Sequence, residues 1–256
     1  MSRSEVLLGT KIAVASILTS PPAGIAIAAA TRNRVPNHGL RFDVSDRAFS
    51  PRARAALFWR LYERAEIRMI RRYLGTSTTV VELGASLGVT SAHIASRLAR
   101  GSRLVCVEAN PHLADGLGRR LIPYTSHVAV EVENLAISGE VGPVGLALIQ
   151  TNLDSRLQDD ASARSVTVSG TTLRTLLSDK LIGEFDLVCD IEGAEASFLL
   201  GDPGALDGCR RAVFELHDTT FAGRAVTAAE LLDAACGLGF RVIERHGVVA
   251  ALARDL

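Results

Sequence analysis

From Gly75 to Leu252 the chain alternates β-branched apolar runs with amphipathic helical stretches. That alternation limits the fold more than any motif does, because strands separated by helices pair in parallel and need both faces covered. Strands are predicted at Thr78 to Leu83, Arg103 to Val107, Phe185 to Cys189 and Ala212 to Leu216, each short and almost continuously apolar. A helix from Ser91 to Arg100 is closed by Gly101, and another from Ala228 to Gly237 opens on the capping box Thr227 and Glu230. Arg241 to Glu244 and Val248 to Leu252 then flank His246-Gly247 as a hairpin, so the predicted fold is an α/β, doubly wound parallel sheet ending with one antiparallel strand. Upstream, Ser50 as N-cap and Pro51 at the first turn open one helix that runs to Gly75, with Phe58, Leu61, Tyr62, Ala65, Met69 and Tyr73 as its apolar stripe.

This divides the chain into an N-terminal arm with an amphipathic helix, residues 1–75, and a sheet domain, residues 76–256. A long insert at 138–179 carries Gly139, Gly142, Gly145 and the polar string QTNLDSRLQDDASARS, and inserts of this length are often functional. Residues 12–30 hold no charge, but Pro21 and Pro22 interrupt them, so the segment is read as an arm and no membrane insertion is expected. The arginine excess between Thr31 and Arg72 is read as a solvated helix face.

Charge and lysine content exclude several classes. With 28 Lys plus Arg against 28 Asp plus Glu, no nucleic acid is expected as a partner. The lysines are Lys11 and Lys180, preceded by Thr10 and Asp179, so a P-loop cannot be written; no Tyr-x-x-x-Lys pair exists either. Cys106, Cys189, Cys209 and Cys236 form no C-x-x-C pair and read as thiols of a reducing compartment, which places the protein in the cytoplasm.

In such sheets ligands bind where the strands end. The first strand ends VVELGASLGVT, giving Glu82, Gly84 and Gly88 as E-x-G-x-x-x-G; Gly84 permits a tight turn and a close backbone approach. The second ends at Glu108, where a nucleoside-binding sheet needs an acceptor for the ribose hydroxyls. Position 86 is Ser where a dinucleotide site wants Gly, which disfavours a nicotinamide cofactor. The string G-A-S-L-G also matches the hydrolase nucleophile elbow, with Asp190 and His217 or His246 as partners of Ser86, but that reading leaves Glu82 and Glu108 without a role.

The strings VVELGASLGVTS, RLVCVEANP, ENLAIS, VTVSGTTLRTLL and DLVCDIEGAEASFLLG, preceded by LYERAEIRMIRRYL, resemble the FkbM family of S-adenosylmethionine-dependent methyltransferases from about Tyr62 to Glu215. The resemblance implies a Rossmann-like class I methyltransferase sheet of seven strands with helices on both faces and an N-terminal helical extension. It implies S-adenosylmethionine as methyl donor and an oxygen of a sugar, polysaccharide or polar secondary metabolite as acceptor. Under it, Gly84, Ala85, Ser86 and Gly88 pass beneath the methionine and ribose, Glu82 meets the amino group, and Glu108 takes the ribose diol, followed by Ala109 and Asn110. Asn134 and Leu135 flank the adenine, and the insert 138–179 lines the acceptor pocket. Glu82 stands where many members have Asp, which keeps the carboxylate.

Methyl transfer to a hydroxyl needs alignment and removal of a proton. His217, oriented by Asp218 or Glu215, is the expected catalytic base, while Asp190 or Glu192 accepts the proton or holds the acceptor hydroxyl; Asp190 also borders the cofactor. A variant places Mg²⁺ on Asp190, Glu192 and Asp218. The competing reading from another class is a methyltransferase-like protein that binds without catalysis. A homodimer is the assembly entertained, and the expected partner is a small-molecule or glycan acceptor.

Overall fold

A computed structural model describes residues 15–148 and 164–254. Two compact units divide at residue 64. In the first, α1 (Pro21–Ala30) and α2 (Pro51–Phe58) flank a hairpin of β1 (Arg34–Asn37) and β2 (Leu40–Asp43). Gly24 lets the two helices meet closely, since a Cβ there would lie 1.7 Å from the Pro51 carbonyl oxygen. Ser50 caps α2 as its sequence predicts, its hydroxyl accepting from the Ala53 N–H at 3.1 Å.

The helix expected to run unbroken to Gly75 is broken. It ends at Phe58 and resumes as α3 (Arg64–Tyr73). Between them Arg60 and Glu63 take left-handed backbone angles, φ 58° and 42°. No glycine or proline marks the break, so the periodic stripe runs through it unnoticed.

The second unit is built on a sheet of seven strands. These are β3 (Thr79–Leu83), β4 (Arg103–Val107), β5 (Ala129–Glu133), β9 (Phe185–Cys189), β10 (Cys209–Glu215), β13 (Arg241–His246) and β14 (Val249–Ala253). Across the sheet the order is β13-β14-β10-β9-β3-β4-β5, parallel except for β14, which runs antiparallel to both neighbours. The strand order reverses between β3 and β9, which opens a crevice at their carboxyl ends.

Alternation along each strand sets the two faces. Val81 and Leu83 point into a core with Leu187, Cys189, Phe198 and Phe214, while Glu82 is buried among polar side chains of α4 (Val89–Ala95). Beyond α5 (Pro111–Leu121) and β5 comes the insert. Its described parts join β6 (Ala136–Ile137), β7 (Gly142–Leu148) and β8 (Arg164–Thr171) in a small sheet and lead into α6 (Leu173–Asp179). Residues 149–163, most of the polar string, lie outside the described residues.

After β9 come α7 (Ala196–Leu199), the hairpin β11 (Thr219–Phe221) and β12 (Arg224–Val226), and α8 (Ala228–Gly237). The capping box on α8 is present as predicted, with Thr227 and Glu230 bonding reciprocally. Among the described residues no helix is long and apolar enough to cross a membrane.

Candidate active site

The strand ends converge on the crevice from four sides. At the first, Gly84 (φ 88°) turns the chain out of β3, and its N–H and that of Ala85 both donate to the Val107 carbonyl, at 2.9 and 3.1 Å. A Cβ on Gly84 would lie 1.8 Å from the Asp190 carbonyl oxygen, so the turn closes directly against the end of β9. Ser86 is itself left-handed, φ 48°, which aims its N–H at the next strand. Gly88 (φ 81°) begins α4 against Leu117, whose Cδ1 would be 2.7 Å from an added Cβ.

Glu108, just past β4, fastens two loops. Its Oε2 accepts from the Ser86 N–H at 2.7 Å and its Oε1 from the Asn110 N–H at 2.8 Å. Burial raises its pKa, while those two donors and Arg120 pull the other way. Each oxygen keeps a further lone pair for a ligand. Asn110 caps α5, its side chain accepting from the His112 N–H. Ala109 lies between them, braced through its carbonyl by Asn134.

Asn134, expected at the adenine edge, uses its amide nitrogen on the carbonyls of Glu108 (2.8 Å) and Ala109 (3.1 Å). Its Oδ1 takes part in neither bond, and Leu135 packs partly buried on the core. Arg120, which sequence reasoning passed over, fastens the glycine turn from outside by donating to the carbonyls of Leu87, Ser86 and Leu113.

Glu82 is almost wholly buried, and neither of its carboxylate oxygens has a hydrogen bond of ordinary geometry. Burial raises its pKa, against nearby Ser91, Thr90 and Cys106. A buried carboxyl without well-formed hydrogen bonds is costly to the fold.

The ends of β9 and β10 form an acidic pole. His217 Nδ1 lies 3.2 Å from Glu195 Oε1, while its Nε2 lies 3.5 Å from Glu192 Oε2, 3.7 Å from Asp190 Oδ1 and 3.7 Å from Glu215 Oε1. Behind Glu215 stands Glu66 of α3, hydrogen-bonded to it. The bond to Glu195 and that to Glu215 push the His217 pKa up to about 10. His217, expected as the base, therefore holds its proton at neutral pH and acts as a donor in this arrangement. Burial, with repulsion from Glu215, pushes Asp190 up to about 7 although His217 opposes it; Glu66 rises to about 8, through burial and then its bond to Glu215.

The Mg²⁺ set expected from the sequence needs correction. Asp218 Oδ1 accepts from the Ala228 N–H at 2.8 Å, at the start of α8, and Asp218 is not among the groups that gather around His217. Among the described residues, the groups whose donor atoms lie within 4.8 Å of one another are Asp190, Glu192 and His217. Glu66 was missed altogether because it was counted with the charges of an arginine-rich helix. Its spacing held the signal: Glu66, Met69, Ile70 and Tyr73 share one helix face, and Glu66, Met69 and Ile70 are buried.

A family model described as methyltransferase FkbM domain matches residues 82–242. No curated protein matches the sequence. Among solved structures, the N-terminal domain of EvdMO1 with SAH bound is 12% identical, covering 88% of this chain and 91% of that one at a TM-score of 0.44. A methyltransferase from Geobacter sulfurreducens is 13% identical over 92% and 88%, with a TM-score of 0.43. The N-methyltransferase NodS from Bradyrhizobium japonicum WM9, in complex with S-adenosyl-L-homocysteine, is 11% identical over 77% and 92%, with a TM-score of 0.42.

Proposed function

Because the chain belongs to the FkbM family of methyltransferases, we propose that it moves a methyl group from S-adenosylmethionine to a hydroxyl of a sugar, a polysaccharide or a polar secondary metabolite. The observation that carries this reading is the placing of Glu108. Its carboxylate is fixed by two backbone donors at one side of the crevice, while the open carboxylate of Asp190 stands at the other. A nucleoside diol and an acceptor hydroxyl need such an arrangement, an anion on each side of a strand-order reversal.

The residues fit the donor. Glu82 offers a buried carboxylate without a hydrogen bond, Gly84, Ala85, Ser86 and Gly88 form a turn that admits a ligand to the backbone, and Glu108 with Ala109 and Asn110 suits the ribose. Asn134 through its Oδ1 and Leu135 through its side chain suit the adenine. Bound S-adenosylmethionine would supply an electrophilic methyl on a sulfonium sulfur. The chain's own part is to align the acceptor oxygen and receive its proton.

Asp190, whose side chain is partly exposed beside His217 at the end of β9, is the carboxylate positioned to take that proton. His217 donates and holds the pole together, and Glu192, whose side chain is 83% exposed, is free to meet the acceptor. A cavity of about 200 Å³ is lined by Ser138, Glu140, Thr172, Ser197, Asp202 and Phe221, so the ends of the insert form part of its wall. The buried thiols Cys106, Cys189 and Cys209 suit a reducing, cytoplasmic compartment.

Titration with S-adenosylhomocysteine is expected to give saturable one-site binding, and its absence would remove the nucleoside reading. Asp190→Asn is then expected to lower methyl transfer to a panel of mono- and oligosaccharides by roughly 10²- to 10⁴-fold, with a much smaller loss of cofactor affinity. Equal turnover by the variant would take the proton-accepting role away from Asp190.

A further inference from the structure

We infer that Asp190, Glu192 and His217 bind a first-row divalent cation. Their donor atoms lie within 4.8 Å of one another, and His217 Nε2 stands 3.7 Å from Asp190 Oδ1 and 3.5 Å from Glu192 Oε2. Those separations are long for hydrogen bonds. They are close to the edges of a coordination shell, which run to roughly 3.0 to 3.5 Å when metal–ligand bonds are about 2.1 Å. A cation would draw the atoms together by small side-chain rotations.

The decisive neighbour is Glu195. Its side chain is fully buried, one oxygen lies 3.2 Å from His217 Nδ1, and the other has no hydrogen bond at all. A buried carboxylate behind Nδ1 fixes the tautomer that offers the Nε2 lone pair, the arrangement that orients metal-bound histidines. The Ile191 N–H donates to the same Glu195 oxygen and holds it in place. On the opposite side of Nε2, Asp190 Oδ1 is buried and without a partner. Carboxylates thus face the imidazole at both of its nitrogens, Glu195 Oε1 at Nδ1 and the unpartnered Asp190 Oδ1 at Nε2.

Charge points the same way. Glu215 brings the carboxyl groups facing His217 to four, against a single imidazole. A divalent ion replaces the proton on Nε2 and offsets more of that charge than the proton does. One nitrogen and two carboxylate oxygens suit a first-row ion such as Mn²⁺, and the partly exposed Asp190 and Glu192 side chains leave coordination positions open to water or to an acceptor hydroxyl. The inference does not require the methyl-transfer reading, although it would bring the ion to the mouth where that reading puts the acceptor.

The test is a titration of the full chain, stripped with EDTA, with MnCl₂, following free Mn²⁺ by its paramagnetic resonance. One saturable Mn²⁺ per chain is expected, with hyperfine coupling to a directly bound nitrogen from His217. Asp190→Asn and His217→Gln are expected to abolish it, Glu195→Gln to weaken it by about 10- to 100-fold, and Asp218→Asn to leave it unchanged. Absence of saturable binding, binding indifferent to Asp190→Asn, or a bound ion without nitrogen coupling would each overturn the site. Since the nitrogen coupling is read on the unaltered protein, a variant that fails to fold does not shield the inference. S-adenosylhomocysteine titrated into the same samples separates the two readings: nucleoside binding without Mn²⁺ binding sinks the cation site and leaves the methyltransferase proposal standing, and Mn²⁺ binding alone does the reverse.

Discussion

Glu108→Ala is expected to weaken S-adenosylhomocysteine binding by at least about a hundredfold. Hydrogen bonds to a charged group are worth roughly 1.5 to 3 kcal/mol each, and two ribose hydroxyls would lose their acceptor together. The same change releases the Ser86 and Asn110 N–H groups, so the glycine turn and the start of α5 lose their common anchor. Glu108→Gln separates the two effects: it keeps one carbonyl oxygen but turns an NH₂ toward a backbone donor, and an intermediate loss is expected. Isothermal titration with thermal unfolding as the check on folding measures both. An affinity within threefold of the original, in folded Glu108→Ala, would show that the ribose is held elsewhere.

The second large effect is on stability. Gly84 and Gly101 have nearly equal backbone angles, φ 88° and 84°, but a Cβ on Gly84 would lie 1.8 Å from the Asp190 carbonyl oxygen, whereas one on Gly101 would meet nothing within 4 Å. Gly101→Ala should therefore cost only the left-handed backbone term, about 1 to 2 kcal/mol. Gly84→Ala carries that cost and must also push β3 away from β9, for a total of roughly 4 kcal/mol or more. Urea denaturation of the pair isolates the close approach by difference. Equal losses would mean that the two strand ends separate cheaply and that the crevice is looser than this geometry requires.

The strands around the crevice were legible because burial on both faces leaves little choice but Val, Leu and Cys: Val80-Val81, Leu104-Val105-Cys106-Val107 and Leu187-Val188-Cys189 identify themselves. The turn chemistry was legible too, in Gly84, in Ser50 and in the Thr227–Glu230 box. What escaped depends on partners distant in sequence. The break after Phe58 rests on left-handed Arg60 and Glu63, residues with no special preference for that geometry. Asp218 reads as an orienter of His217 or a cation ligand because it follows His217, but its Oδ1 bonds to the N–H of Ala228, ten residues later. The affinity of His217 for its proton comes from Glu195, Glu215 and Asp190, which lie on two strand ends, and no local window contains them all.

The strand order across the crevice also has a consequence in time. β3 finds β4 about 20 residues later, but its other neighbour, β9, is about 100 residues away. At ordinary rates of synthesis, roughly 5 to 20 residues per second, that edge of β3 waits about 5 to 20 seconds for its partner. A nascent chain in that interval holds the three strands β3, β4 and β5 with an apolar border, Val80, Val81 and Leu83, open to any passing strand. Glu82 is the one charged residue of that strand, and a charge within an open strand edge disfavours its pairing with other strands.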